Sequence, residues 1–143
     1  MSTPPHINDH NRENIEKFRA NGGQLIDRGM PLVLITHVGR KSGRSYTNPL
    51  TCAVDEDGTV VIGATKGGLP THPDWYLNIE KDPMVTVEWA GEQYRAEAQT
   101  VPAGPERERL VALLTTSLPA LPRYEEKTAG IRLIPIIRLV RQP

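Results

Sequence analysis

Arg40, Lys41 and Arg44 place three cations within five residues, in the segment Thr36-His37-Val38-Gly39-Arg40-Lys41-Ser42-Gly43-Arg44. The apolar run Pro31-Leu32-Val33-Leu34-Ile35 leads straight into it. A strand that ends in a glycine-bounded basic turn offers cationic side chains and free backbone N–H groups together. That combination suits a small, dense anion such as a phosphate or a carboxylate. The alternative is a solvated hairpin turn that is merely basic. A second glycine turn with its own cation, Ala64-Thr65-Lys66-Gly67-Gly68, argues for a ligand. Its glycines let backbone amides approach a bound group closely. The segment then runs into Leu69-Pro70-Thr71-His72-Pro73-Asp74-Trp75-Tyr76-Leu77-Asn78, where a helix N-terminus attracts negative charge and Trp75 and Tyr76 offer flat aromatic surfaces. The competing reading makes Trp75 and Tyr76 core anchors of an amphipathic helix.

Other chemistry is thin. The basic turn lacks the second glycine followed by Lys and Ser/Thr of a Walker A loop, and no G-x-G-x-x-G follows a strand. No G-x-S-x-G elbow is present. His6 and His10 stand four apart, but in a polar tail; His37, at a strand end, is expected to hydrogen-bond locally. Asp55, Glu56 and Asp57 read as a solvated turn, and Cys52 as a packed strand residue. No metal site is expected. With so few acid–base candidates, an enzyme of this sequence would leave the chemistry to its cofactor.

The elements that must position these residues can be read from periodicity. Residues 1–10 are polar and expected to be mobile, with one domain over 11–143. A short helix fits residues 11–21, stopped by Gly22-Gly23. Strands are expected at 31–38, 46–54 and 59–64, the last two joined by the Asp57-Gly58 hairpin signal. Residues 71–80 read as a helix, with Thr71 and Asp74 resembling a capping box. Strands resume at 84–89 and 92–101, and a helix at 105–118 carries Leu110, Leu113, Leu114 and Leu118 on one face. A last strand covers 132–140, where Pro135 argues for an edge or a bulge. About six strands joined by tight turns favour an antiparallel sheet closed into a small barrel.

Composition limits the partners. A chain of 143 residues suits one domain. Lysine plus arginine (17) equals aspartate plus glutamate (17), so the chain is basic only locally, which disfavours nucleic acid. The single cysteine excludes an intrachain disulfide. The N-terminus lacks the pattern of a signal peptide, and no apolar run approaches the roughly 20 residues of a membrane span. A cytoplasmic protein is expected, with peripheral membrane contact left open and no oligomeric state specified.

Five segments in order, Phe18-Arg19-Ala20-Asn21-Gly22-Gly23, Gly39-Arg40-Lys41-Ser42-Gly43-Arg44, Asn48-Pro49-Leu50, Ala64-Thr65-Lys66-Gly67-Gly68 and Pro73-Asp74-Trp75-Tyr76-Leu77-Asn78, closely resemble the deazaflavin-dependent nitroreductase and quinone reductase family of actinobacteria. The resemblance covers residues 14–140. It implies a mainly β fold with flanking helices, a six-stranded antiparallel split β-barrel related to flavin-binding proteins. It also implies coenzyme F-420, an 8-hydroxy-5-deazaflavin with a phospholactyl-oligoglutamate tail, and hydride transfer to a small electron acceptor: a quinone, a nitroaromatic or an activated alkene. Flavin mononucleotide on the same barrel, or a non-catalytic carrier of the coenzyme, is the alternative. Carried over by motif, Arg40, Lys41 and Ser42 would hold the phosphate end. Tyr46, Thr47, Asn48, Pro49, Leu50 and Thr51 would line one side of the deazaflavin. Gly63, Ala64, Thr65 and Lys66 would touch the ring edge or tail, Asp74, Trp75, Tyr76, Leu77 and Asn78 would close over it, and Tyr124 would face the ring and the acceptor. The sequence departs from better-known members, which carry arginine where Tyr46 stands, tyrosine where Thr51 stands, and further tyrosines before Tyr124.

Overall fold

In the computed structural model, which describes residues 9–23, 26–27 and 30–143, the first element is helix α1 (Asp9–Ala20). The expectation for residues 1–8, and with it the His6–His10 pair, lies outside the described residues. Gly22 and Gly23 stop the helix: both have positive φ (72° and 83°), and their amides bond the carbonyls of Arg19 (3.4 Å) and Phe18 (2.9 Å). That pair of bonds satisfies two of the helix's last carbonyls.

Six strands then close on themselves: β2 (Met30–Val38), β3 (Ser45–Val54), β4 (Val60–Gly63), β5 (Met84–Trp89), β6 (Glu92–Thr100) and β7 (Ile136–Arg141). A two-residue strand, β1 (Ile26–Asp27), pairs with the start of β2. The order β2-β3-β4-β7-β6-β5 returns to β2, and every pairing is antiparallel. Ile35 shows the closure, since it faces Asn48 of β3 on one side and Val87 of β5 on the other. The expected six-stranded antiparallel barrel is the fold.

Helices α2 (Asp74–Lys81), α3 (Pro105–Ser117) and α4 (Leu121–Thr128) cover it. The barrel interior is filled by Val33, Ile35, Cys52, Val60, Ile62, Val85, Val87, Ala96, Ile137 and Leu139, and Trp75, Tyr76 and Ile79 of α2 join that core. A second core lies outside the barrel, where Ala53, Val61 and Ile136 meet Leu110, Val111 and Leu114 of α3 and Leu121 of α4. Val60-Val61-Ile62 is apolar throughout because successive side chains enter different cores. Burial pushes the Cys52 thiol up to about 12, which leaves it an inert packing residue.

Four expectations are corrected. The last strand begins at Ile136, not at residue 132. Pro135 stands just ahead of it, with its carbonyl accepting the Ala64 amide at 2.9 Å, and β7 lies between β4 and β6 and is no edge. The Thr71–Asp74 capping box does not form: α2 is preceded by Pro73 without a side-chain cap, and the Thr71 hydroxyl accepts from Lys66 Nζ (2.9 Å). Helix α4 was not anticipated, because only Leu121 and Thr128 of it are buried and the apolar period is missing. Finally, Asp55 is not solvated. It is buried, and Arg109 of α3 grips it with two bonds (3.0 and 2.8 Å), which pins the β3–β4 hairpin to the helix. Those bonds, with the Glu56 amide, hold its carboxyl at about 2.

Candidate functional site

The β2–β3 turn is closed by its own backbone. Gly39 N–H donates to the Arg44 carbonyl (2.7 Å), and Gly43 N–H to the Gly39 carbonyl (2.9 Å). Tyr46 lies across it, with its hydroxyl 2.8 Å from Ser42 Oγ. A Cβ at position 39 would stand 2.6 Å from Tyr46 Cε2 and 2.7 Å from Ser42 Oγ, so only glycine lets the ring pack down. The turn is thereby held closed by its own backbone bonds and by the Tyr46 ring.

Helix α2 docks onto the turn through Arg40. Asn78 Oδ1 accepts from the Arg40 backbone N–H (3.1 Å) and from its guanidinium (2.8 Å), and Asp74 Oδ1 accepts at 3.3 Å. Lys81 Nζ donates to the Arg40 carbonyl at 3.4 Å. Arg40 is thus held in place before any ligand arrives. Lys41 and Arg44, by contrast, are exposed and their side chains have no partner among the described residues.

Between turn and helix lies a cleft of about 270 Å³, lined by eight of the expected coenzyme-binding residues: Arg40, Lys41 and Ser42 of the phosphate set, Tyr46 and Asn48 of the ring set, and Asp74, Trp75 and Asn78 of α2. His37 and Gly39 complete the lining. Trp75 is a core anchor, 8% exposed and part of the barrel core, and it also lines the cleft. Tyr76 is placed in the core instead, edge-on to Trp75, its hydroxyl 3.3 Å from Thr100 Oγ1. Leu77 is half-buried on α2, outside the cleft.

Strand alternation divides the 46–51 segment. Asn48 reaches His37 (2.7 Å), and Leu50 packs on the barrel core. The intervening residues project from the opposite side. There Thr47 bonds Thr36 (2.8 Å), Thr51 contacts Met30 Sδ (4.0 Å), and Pro49 falls between them.

The second cation turn is built around a residue the motifs did not mark. Arg132 donates to the carbonyls of Ala64 (3.1 Å), Thr65 (2.8 Å) and Leu69 (3.0 Å), and to His72 Nδ1 (3.1 Å). It has no carboxylate partner among the described residues, and burial holds its pKa below the ordinary value. Buried Ala64 and the neighbouring Gly63 belong to the barrel wall, whereas Lys66 is exposed with φ 47°. Gly68 packs against α4, where a Cβ would stand 3.2 Å from Tyr124 Cα and Lys127 Cδ. Tyr124 therefore sits beside this loop and outside the 39–43 cleft; its hydroxyl has no partner among the described residues. Arg132 was missed because its partners are carbonyls more than sixty residues away, which leave no local pattern.

Among the described residues no group of three metal-ligating side chains occurs, and no helix is long and apolar enough to cross a membrane. A closed split barrel with a cationic cleft and an aromatic wall is chemically suited to an anionic, ring-bearing cofactor. Residues 10–141 match the model of the F420H(2)-dependent quinone reductase family, and the chain belongs to that family. It is 30% identical over 130 residues to an F420H(2)-dependent quinone reductase of Mycobacterium tuberculosis, covering 87% of this chain and 85% of that one. A solved F420-H2 dependent reductase, FDR-A, superposes with a TM-score of 0.67 at 36% identity, over 76% of this chain and 92% of that one. A second solved structure, described as a domain-swapped dimer, gives 0.70 at 35% identity, over 90% and 95%. Family membership makes the chain an oxidoreductase dependent on reduced coenzyme F-420.

Proposed function

We propose that the chain transfers a hydride from reduced coenzyme F-420 to a quinone, with the coenzyme's phosphate and glutamate tail held at the 39–43 turn. The observation that carries the placement is the contrast among the cations there. Arg40 is locked by Asn78 and Asp74, while Lys41 and Arg44 face solvent without partners among the described residues. A site for a polyanion needs both: a fixed guanidinium that gives direction and unpaired charges that wait for the ligand. The donor set therefore fits the group.

The bound reduced deazaflavin supplies the hydride. The protein supplies position. Trp75 and Tyr46 wall the cleft, Asn48 and Asn78 order its floor, and the Arg132-centred loop carries Thr65 and Lys66 toward the ring edge. Holding donor carbon and acceptor about 3–3.5 Å apart contributes most of the rate in such a reaction. Tyr124, beside Gly68, brings a hydroxyl to the acceptor side and delivers a proton to the developing oxyanion. Nitroaromatics and activated alkenes are accepted where they fit the same pocket.

Titration of the purified protein with coenzyme F-420 and with flavin mononucleotide, followed by menadione addition to the reduced complex, tests this. Tighter binding of the flavin sinks the cofactor assignment. Binding of the deazaflavin without acceptor-dependent oxidation favours a carrier. Lys41→Ala should weaken coenzyme binding by about 1–3 kcal/mol, the range for a charge-assisted hydrogen bond; unchanged affinity would move the phosphate elsewhere.

A further inference from the structure

His37 is only 3% exposed, and both of its ring nitrogens are engaged. Nε2 lies 2.7 Å from Asn48 Oδ1, and Nδ1 lies 3.1 Å from Asn78 Nδ2. Asn78 is itself buried and grips Arg40 with its oxygen, at 3.1 Å from the backbone N–H and 2.8 Å from the guanidinium. Arginine has donors only, so Asn78 must give Arg40 its oxygen and His37 its NH2 group. Nδ1 of His37 must then accept, and the ring's proton must sit on Nε2 and go to Asn48. Four bonds thus specify one neutral tautomer.

We infer that His37 is a positioning residue for the coenzyme's phosphate end: through Asn78, its neutral Nε2–H form fixes the Arg40 guanidinium at the cleft, and a proton on Nδ1 undoes that hold. This rests on Arg40 serving the phosphate, as proposed above. A proton on Nδ1 would face the Asn78 NH2, donor against donor. Relief requires the amide to turn over, which presents NH2 to Arg40 and removes both of its bonds. Coenzyme binding and protonation of His37 therefore oppose each other, by linkage.

Among the described residues, the charged and titratable groups around the imidazole include Arg40 and Lys41 of the turn, Asp74 and Lys81 of α2, and Tyr46 of β3, whose ring centroid is 6.0 Å away. On β5, Glu88 is taken by Arg19 at 2.9 Å. The coenzyme's phosphodiester carries no proton that titrates in the histidine range, so a change there reports the protein.

Two measurements on the whole protein test this. Nitrogen-15 NMR of the coenzyme-free protein should show His37 neutral with its proton on Nε2; a proton on Nδ1 overturns the inference. Dissociation constants for the intact coenzyme and for its chromophore lacking the phosphate-bearing tail are then measured from about pH 8 to about pH 5, the range in which histidine changes charge. The wild type should lose affinity for the intact coenzyme relative to the tail-less chromophore, on the order of tenfold for the charge-assisted bonds at stake; both probes carry the same ring hydroxyl, so its own titration cancels in the ratio. His37→Gln, an amide that does not titrate, should flatten the profile; a profile matching the wild type overturns the inference. Arg40→Ala separates the two readings. If it binds the intact coenzyme like wild type, the phosphate placement fails. If it binds weakly while His37→Gln still follows the wild-type profile, the role of His37 alone fails.

Discussion

Replacing Arg132 by methionine tests whether one guanidinium organises half of the site. Its donors meet three carbonyls and a ring nitrogen, those of Ala64 (3.1 Å), Thr65 (2.8 Å), Leu69 (3.0 Å) and His72 (3.1 Å). At about 1 kcal/mol net per hydrogen bond the sum would approach about 4 kcal/mol. Two corrections reduce it. Leu69 is exposed and Thr65 half-buried, so water replaces Arg132 at their carbonyls, whereas Ala64 is fully buried. Arg132 also bears a desolvation cost that methionine avoids, as its lowered pKa records. A loss of about 2 kcal/mol remains, mostly from the Ala64 acceptor and the slackened loop. With a urea slope of about 2 kcal/mol per molar, the midpoint should fall by about 1 M. Coenzyme affinity should fall too, since the loop that carries Thr65 and Lys66 loses its anchor. Arg132→Lys should recover little, because an ammonium cannot fork to four acceptors. A midpoint within about 0.2 M of wild type, given that slope, would refute the argument.

Three further outcomes are expected. Gly39→Ala should cost about 1–3 kcal/mol of stability through its clash with Tyr46 and Ser42 and should weaken coenzyme binding, and Gly39→Ala combined with Tyr46→Ala should regain part of both; calorimetry of the three proteins decides it. Asp55→Asn should lower the urea midpoint at neutral pH by removing the charge that Arg109 holds. The carboxyl is depressed to about 2 from 3.8, so its contribution is full above about pH 4 and lost as pH falls through about 2; the gap between variant and wild type should close over that window, and a gap constant with pH would contradict the assignment. Tyr124→Phe should leave the coenzyme dissociation constant unchanged while slowing quinone reduction by about 10²-fold or more, and an equal rate would assign the proton to water.

Strand alternation, the Asp57-Gly58 signal and the Gly22-Gly23 stop are local properties, written within a few residues, and they carried the barrel's strand count and most of its boundaries. The basic turn was equally legible, because its glycines and cations are adjacent in the chain. What failed locally was α4, whose apolar signal is too sparse, and the capping box, whose threonine turned to Lys66. Every long-range decision was tertiary. Docking of α2 brings Asn78 to Arg40 and to His37, and β7's approach brings Arg132 under the 64–72 loop. Likewise Asp55 reads as a solvated turn residue until α3 delivers Arg109. The sequence by itself determined which anion-binding groups exist and that strands flank them, since side-chain chemistry and backbone periodicity are encoded residue by residue. Only the tertiary structure decided which cations are tethered and which are left for a ligand, because a hydrogen bond depends on the distance between groups that the chain keeps far apart until it folds.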